Sequence, residues 1–545
     1  MTQGDAAAAG DAADHRQTAS EPAADSTAWA PLRQRAFRWL WIGVVISWIG
    51  TWMQTVGAQW LLVDAPNAAA LVSLVQAVNT LPIMLLALPG GVLADTFDRR
   101  WLLLTVQGYL FVVGILLAIL TALGQMPPAL LLLFTFALGA GGAVQLPTWQ
   151  SMLPELVPRT QLRAAARLDL VGVNLARSVG PALAGVVIAH LGGVPMVFAL
   201  NAASVVLFAL ALLLWRRSRP ESDTPRERFV PALRAGGRYI WHEPIMRRIL
   251  LRILMFVVPG MALWALLPLI ATQRLHLGAD GFGALFGALG AGAIVGAVVL
   301  APVRARLSTN GMLTAAGVLY AAAMAAIMLV PNFATALVIL VLAGLAWMAV
   351  TSTLVAELQL FLPTWVRARG LAVYTVTFTG SMTVGALLWG LVAEGVGLRT
   401  TMLISAVLVF AGSLVGLVWR LRETSHLDPK ATIYWPEARL AFEPEPDAGP
   451  VVVTVEYTVT PEREAAFFEA MEHLRRSRRR TGASRWELYR DGEHPDHFLE
   501  IFSVPSWEEH ERQHEGRLTQ ADRTVEEAAL AFSDPPAQPR HLLPP

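Results

Sequence analysis

The chain has 545 residues, 55% of them hydrophobic and 15% charged, with a mean hydropathy of +0.50. That is too much apolar surface for an ordinary soluble protein of this size, so most of the chain belongs in lipid. The net charge of +1 gives no argument for a nucleic-acid partner, and the absence of cysteine excludes disulfides, thiolate metal sites and thiol chemistry.

Residues 1–32 are rich in Ala, Asp, Ser and Thr, lack apolar periodicity and hold no signal-peptide core, so they read as a disordered tail. A spanning helix needs roughly 20 predominantly apolar residues. By that measure twelve spans follow, near 38–62, 70–93, 101–124, 128–151, 166–190, 194–215, 248–272, 280–302, 311–330, 332–357, 371–394 and 399–419. They make two six-helix halves, 33–215 and 248–421, joined by a connection at 216–247. In that connection Phe229, Leu233, Tyr239, Ile240 and Trp241 stand among arginines, a pattern shared by an amphipathic surface helix and by a plain charged linker. Basic residues precede span 1 (Arg33, Arg35, Arg38) and follow spans 2, 4, 6, 8, 10 and 12; the alternate connections carry almost none, Arg274 and Arg399 excepted. The positive-inside rule then places both termini in the cytoplasm, as an even number of spans requires. Lys430 is the single lysine beside many arginines, a sign of a GC-rich coding sequence and so of a bacterial source.

The halves carry an internal repeat. Gly180-Pro181 with Gly185 in span 5 is echoed by Gly385-Ala386 with Gly390 in span 11. Pro154-Glu-Leu-Val157 before span 5 is echoed by Pro363-Thr-Trp-Val366 before span 11, and Gly91 and Arg99 by Gly296 and Arg304. A duplicated six-helix unit accounts for these spacings.

The stretch GVLADTFDRR, Gly91 to Arg100, lies between spans 2 and 3. It resembles the loop signature G-x-L-a-D-r-x-G-r-k of the major facilitator superfamily, with Asp98 where the second glycine is usual and Thr96 where a basic residue is common. The resemblance implies a cytoplasmic gate built from Gly91, Asp95, Arg99 and Arg100: the glycine allowing close helix approach, the charges locking one conformation. Leu300 falls where Asp95 maps in the second half, so the network is expected to be one-sided. ARSVGPALAG, Ala176 to Gly185, resembles part of the superfamily's antiporter signature, with Arg167 and Ala176 in place of its upstream glycines. Together with SWIGTWMQ (Ser47 to Gln54) and LPTWQSMLPELVP (Leu146 to Pro158), these motifs are similar to the enterobactin-exporter-like branch, often termed transmembrane secretion effectors, although Thr51 replaces an acidic residue of that pattern. Over residues 33–420 the resemblance implies proton-coupled export of a small, siderophore- or drug-like metabolite.

Polar residues inside spans are functional candidates because they are costly in hydrocarbon. Arg177 lies midway along span 5, one turn from Asn174, and suits an anionic substrate or a carboxylate partner; Gln54, Asn79, Gln145 and Asn201 add hydrogen-bonding groups. A structural arginine bonded to helix-end carbonyls and amides that glue helices are the alternatives. Arg252 is expected to snorkel at the start of span 7. Gly180, Pro181, Gly185, Gly385 and Gly390 permit tight helix packing. No midplane acid stands out; Asp95 and Asp169 are the local candidates for proton coupling.

Residues 422–450 read as a linker, 451–533 as a small α+β domain and 534–545 as a disordered tail. Val451, Val453, Val455, Tyr457 and Val459 alternate as in a half-buried strand. A helix after Pro461 with Phe467, Phe468, Met471 and Leu474 inward, strands near 486–490 and 497–504 and a helical region over 507–532 complete the unit. This order suits a ferredoxin-like sheet if a fourth strand is added or two copies pair, and it resembles the antibiotic-biosynthesis-monooxygenase type of dimeric α+β barrel. His510 and His514 have metal-binding spacing, but two solvated histidines explain them, so no metal or cofactor is expected. RRSRRR, Arg475 to Arg480, fits a basic helix C-terminus, with anionic lipid or nucleic acid as the alternative. The expected molecule is an all-α twelve-span protein of the bacterial inner membrane with this cytoplasmic domain, handling a small molecule and a proton in contact with lipid and self-associating through the domain. An importer, or an enzyme or sensor anchored by the membrane part, is the alternative.

Overall fold

The computed structural model describes residues 28–215, 237, 241–304, 306–329, 332–421, 442 and 444–544; the side chain of Asp95 lies outside that description, as do tail residues 1–27 and most of the 216–247 connection and the 422–450 linker. The first half consists of α1 (Arg35–Leu61), α2 (Ala68–Thr96), α3 (Arg99–Ala122), α4 (Pro128–Leu156), α5 (Leu162–His190) and α6 (Gly193–Leu214). The second consists of α7 (Pro244–Leu269), α8 (Ala279–Arg304), α9 (Thr309–Ala326), α10 (Phe333–Phe361), α11 (Thr364–Val396) and α12 (Leu398–Val418). Among the described residues eleven helices are long and apolar enough to cross a membrane. The exception is α9, which has 18 residues and opens on the polar pair Thr309 and Asn310.

The repeated glycines do the same work in both halves. A Cβ on Gly180 would stand 2.7 Å from Trp52 Cβ on α1, and one on Gly385 would stand 2.6 Å from the Val258 carbonyl on α7. In each half the fifth helix thus closes on the first. The second glycine of each pair faces the opposite half: Gly185 meets the Ala279 carbonyl and Gly283 on α8, and Gly390 meets Ser73 and Ala69 on α2. Further links between the halves are Thr80 to Thr383 at 2.8 Å, the Ala70 N–H to Glu394 at 3.1 Å and Ser178 to the Gly287 carbonyl at 3.2 Å. All of these close contacts fall between mid-span and the end remote from the arginine-rich loops.

Local chemistry explains departures from the loop signature. Asp98 is the N-cap of α3, accepting from the backbone N–H groups of Arg100 and Trp101 at 3.0 and 3.1 Å, which an acid does and glycine cannot. Gly91 does not give the close approach expected of it: nothing lies within 4 Å of its would-be Cβ, while Gly90 meets the Ala143 carbonyl at 3.0 Å. Arg252 reaches toward the arginine-rich end. It donates to Asn310 Oδ1 and to the Gly416 and Trp419 carbonyls at 2.9, 3.0 and 2.7 Å, tying α7 to the end of α12.

The α+β domain is built from β1 (Val451–Thr458), α13 (Glu464–Thr481), β2 (Arg485–Arg490), β3 (His497–Val504), α14 (Trp507–Arg512), α15 (Gln520–Leu530) and β4 (Pro539–Leu542). The sheet runs β2-β3-β1-β4, antiparallel at every pair. The fourth strand comes from the segment expected to be a disordered tail. The helical region also divides, because a π-helical turn at Gln513–Arg517 gives way to a new start capped by Thr519 and Asp522. Phe467, Met471 and Leu474 face inward as expected, whereas Phe468 is 42% exposed.

Candidate functional site

α1 contributes one face to a cavity of about 290 Å³ in the first half: Ser47, Trp48, Thr51, Trp52 and Gln54 line it, recurring every three or four residues. Asn79 from α2, Gln145 from α4 and Asn201 from α6 complete its polar wall, so four of the five amides singled out in the sequence meet in one place. They are partly engaged: Asn201 Nδ2 donates to Gln54 Oε1 at 2.7 Å, and Gln107, not anticipated from sequence, donates to Gln145 Oε1 at 3.1 Å. Asn201 Oδ1 and Gln107 Oε1 are buried without an acceptor's usual partner. Asn174 is not brought to this wall; its amide donates to the Leu170 carbonyl of its own helix at 2.8 Å.

Arg177 borders the cavity through Trp52. Its guanidinium carbon lies 5.6 Å from the indole centroid, within cation-π range, and its Nε is buried without a hydrogen-bond partner. Arg177 is therefore not held by helix-end carbonyls. Trp52 was missed in the sequence as a contact of this arginine; the same indole meets Phe286 of the second half edge-on at 5.9 Å. Beyond Phe286 the second half is aromatic: Trp264, Trp347, Phe256 and Tyr320 follow in ring contacts of 5.2 to 5.7 Å. The cavity is thus lined by the first half alone, with Arg177 beside it through Trp52, and the second-half aromatics pack as buried core behind that indole.

At the arginine-rich end, Arg99 donates to Glu155 Oε1 at 2.7 Å and to the Ser151 carbonyl at 3.0 Å, joining α3 to α4. Arg100 caps α6 through the Leu212 and Leu213 carbonyls, both at 2.9 Å. In the second half Arg304 bonds the hydroxyls of Ser352 and Thr353 at 2.6 and 3.4 Å. Asp169 is buried and accepts from Trp149 Nε1 at 2.7 Å, away from the cavity. In the α+β domain His510 is 2% exposed, not solvated, and its ring lies 4.5 Å from His514 and 4.9 Å from His541. Among the described residues no group of three or more metal-ligating side chains is arranged to hold an ion. RRSRRR is not a uniformly exposed basic end either: Arg478 is buried between Glu500 and Glu526 at 3.2 and 2.7 Å.

The sequence pattern of the family described as transmembrane secretion effector matches residues 26–543, through the α+β domain. The staphyloferrin A transporter of Staphylococcus aureus is 24% identical over 47% of this chain; the match spans 64% of that protein, just under two thirds. The multidrug efflux pump Tap of Mycolicibacterium fortuitum is 25% identical over 69% of this chain and 93% of its own length. Among solved structures, a bacterial homolog of the human lysosomal transporter Spinster in an inward-facing, unoccupied conformation superposes with a TM-score of 0.57 at 16% identity, covering 71% of this chain and 98% of that one. The nucleoside transporter NupG gives 0.58 at 12% identity over 71% and 100%.

Proposed function

The chain belongs to the transmembrane secretion effector family of major facilitator transporters, and from that premise we infer that it exports a small anionic, amphipathic metabolite from the bacterial cytoplasm. It is a multi-pass transporter of the cell membrane, not an enzyme. The single observation carrying the substrate reading is Arg177, a half-buried cation 5.6 Å from the Trp52 ring centroid, beside a cavity lined by four amides. A carboxylate or catecholate group would meet the guanidinium while the apolar remainder lies against Trp48, Ile83, Leu138 and Leu146 of the cavity wall. Siderophore-like and drug-like chemistry both satisfy that description, and relatives of this chain carry staphyloferrin A and act as multidrug efflux pumps.

In this reading twelve helices cross the membrane with both termini cytoplasmic, and the arginine-rich loops mark the cytoplasmic side. The contacts at the remote end then correspond to a state open to the cytoplasm. Asp95 and Arg100 belong to the cytoplasmic gate, which Arg99 and Glu155 brace from within the first half, and a proton returns through Asp169 or Asp95. The α+β domain, with ferredoxin-like strand order, self-associates or regulates.

Inside-out vesicles with an imposed proton gradient test the reading against a labelled carboxylate siderophore, a catecholate and a cationic drug. Uptake of an anionic compound that is lost in Arg177→Gln and in Asp169→Asn, and abolished by a protonophore, is the expected result. Uptake confined to right-side-out vesicles makes the protein an importer, and uptake of the cation alone overturns the anionic assignment.

A further inference from the structure

The basic run Arg475 to Arg480 is divided by the fold. Arg478 is consumed in the domain interior, and Arg480 bridges Asp522 at 2.6 Å to Glu243 at 2.7 Å, the residue that opens α7. A second attachment lies at Arg517, whose guanidinium carbon sits 5.1 Å from the ring centroid of Trp365 at the start of α11. The α+β domain therefore rests on the second half of the bundle. Between the start of α7 and α13 this docking leaves a cleft of about 370 Å³ lined by Trp241, His242, Pro244, Arg247, Glu472, Arg475 and Arg476.

The charges in that cleft do not balance. Arg475 and Arg476 share one carboxylate, Glu472, at 2.9 and 3.3 Å. Arg247 approaches from the other wall and its side chain makes no ion pair among the described residues. Among the described residues three guanidinium groups stand against one carboxylate, which leaves two positive charges at a junction held by the Arg480 to Glu243 pair. Repulsion of that kind is relieved by an anion, and planar guanidinium groups match phosphate oxygens. Trp241 is 73% exposed at the mouth, one turn before a membrane helix, where an indole suits the headgroup layer.

We propose that this cleft binds a phosphate-bearing anion, held by Arg247, Arg475 and Arg476 beside the Trp241 indole, and that the bound anion fastens the α+β domain to the second half. The test uses the full-length protein in lipid nanodiscs, reading amide hydrogen exchange over residues 472–480. Three conditions are compared: phosphatidylcholine alone, phosphatidylcholine with phosphatidylglycerol, and phosphatidylcholine with inorganic phosphate at about 10 mM. Exchange slowed at least about fivefold by an added anion is the expected result. Slowing by phosphatidylglycerol alone assigns the site to a lipid headgroup, and slowing by inorganic phosphate assigns it to a soluble phosphate. The Arg475→Gln/Arg476→Gln variant, altered at two half-exposed positions, and Arg247→Gln on the facing wall should each lose the response. If no anion slows exchange, or if both variants respond as the parent does, the proposal is overturned.

Discussion

A half-buried guanidinium without an acceptor among membrane helices opposes folding unless a ligand meets it. Arg177 is so placed, and its removal should separate function from stability. Arg177→Gln is expected to lower flux of an anionic substrate at least about tenfold, equivalent to about 1.4 kcal/mol. Thermal unfolding of the purified protein should stay level or rise, because a half-buried cation without an acceptor is gone. A merely structural arginine would give the reverse, with flux falling in step with the unfolding temperature. Arg177→Lys keeps the charge but not the planar fork and should fall between. The arginine itself was conspicuous in an apolar run; its neighbour was not. An indole in a hydrophobic helix reads as core or lipid-facing, and Trp52 emerges only when Ser47, Trp48, Thr51, Trp52 and Gln54 are read as one helical face. The misread glycine has a related cause: Gly90 and Gly91 are adjacent, and sequence cannot say which of the two faces α4.

Between elements, the glycine pairs carry the packing, and their duplicated spacing made both halves visible before any coordinates. A side chain on Gly185 would strike backbone, the Ala279 carbonyl at 2.6 Å and Gly283 Cα at 3.0 Å, so α8 has nothing flexible to yield. Gly185→Val should leave α5 seated on α1 through Gly180 and drive the halves apart at the remote end, abolishing the closed contact. The chain lacks cysteine, so spin labels at Leu191→Cys and Val396→Cys would be the only ones present, and a longer mean distance than in the parent is expected. In the α+β domain, β4 escaped notice because four residues in a Pro-rich tail show no alternation; only pairing with β1 makes them a strand. That strand brings His541 to His510 and His514. Burial first, then His541 and Arg478, pushes His510 down to about 3; burial first, then His510 and Arg478, pushes His514 down to about 2. Unfolded histidines titrate near about 6.5, so between that pH and about 3 the unfolded domain binds more protons than the folded one. Domain stability is therefore complete above about 6.5 and declines as pH falls below it. Hydrogen exchange of residues 507–517 and 539–542 should accelerate, beyond the intrinsic effect of pH, from pH 7.5 to pH 5, and His510→Phe should flatten that dependence.

Across the whole molecule the two halves are alike in path and unlike in chemistry. Hydropathy and repeat spacing made the path legible; the docking of the α+β domain was not, since it joins Arg480 to Glu243 across 237 residues of sequence. The asymmetry expected at the arginine-rich end rested on Asp95, whose side chain lies outside the described residues; the asymmetry seen rests on Glu155, which the sequence reading did not name. Arg99 pairs with a carboxylate, Glu155, whose side chain is 6% exposed, whereas Arg304 reaches only hydroxyls. Both contacts lie within one half, so a rocking motion of rigid halves leaves them intact, and in the present state they act as internal staples. Arg99→Ala withdraws the guanidinium from a buried carboxylate and should cost about 1 to 3 kcal/mol. Arg304→Ala leaves hydroxyls that can turn to their own helix carbonyls, as Ser352 already does toward Met348 at 2.5 Å, and should cost less than about 1 kcal/mol. The double variant Arg99→Ala/Glu155→Ala should recover part of the loss, since the carboxylate is removed together with its arginine. Thermal unfolding of the three variants in detergent measures the staple, and vesicle flux measures the gate. If Arg99→Ala leaves unfolding unchanged and alters flux alone, the arginine acts between conformational states and not within the half.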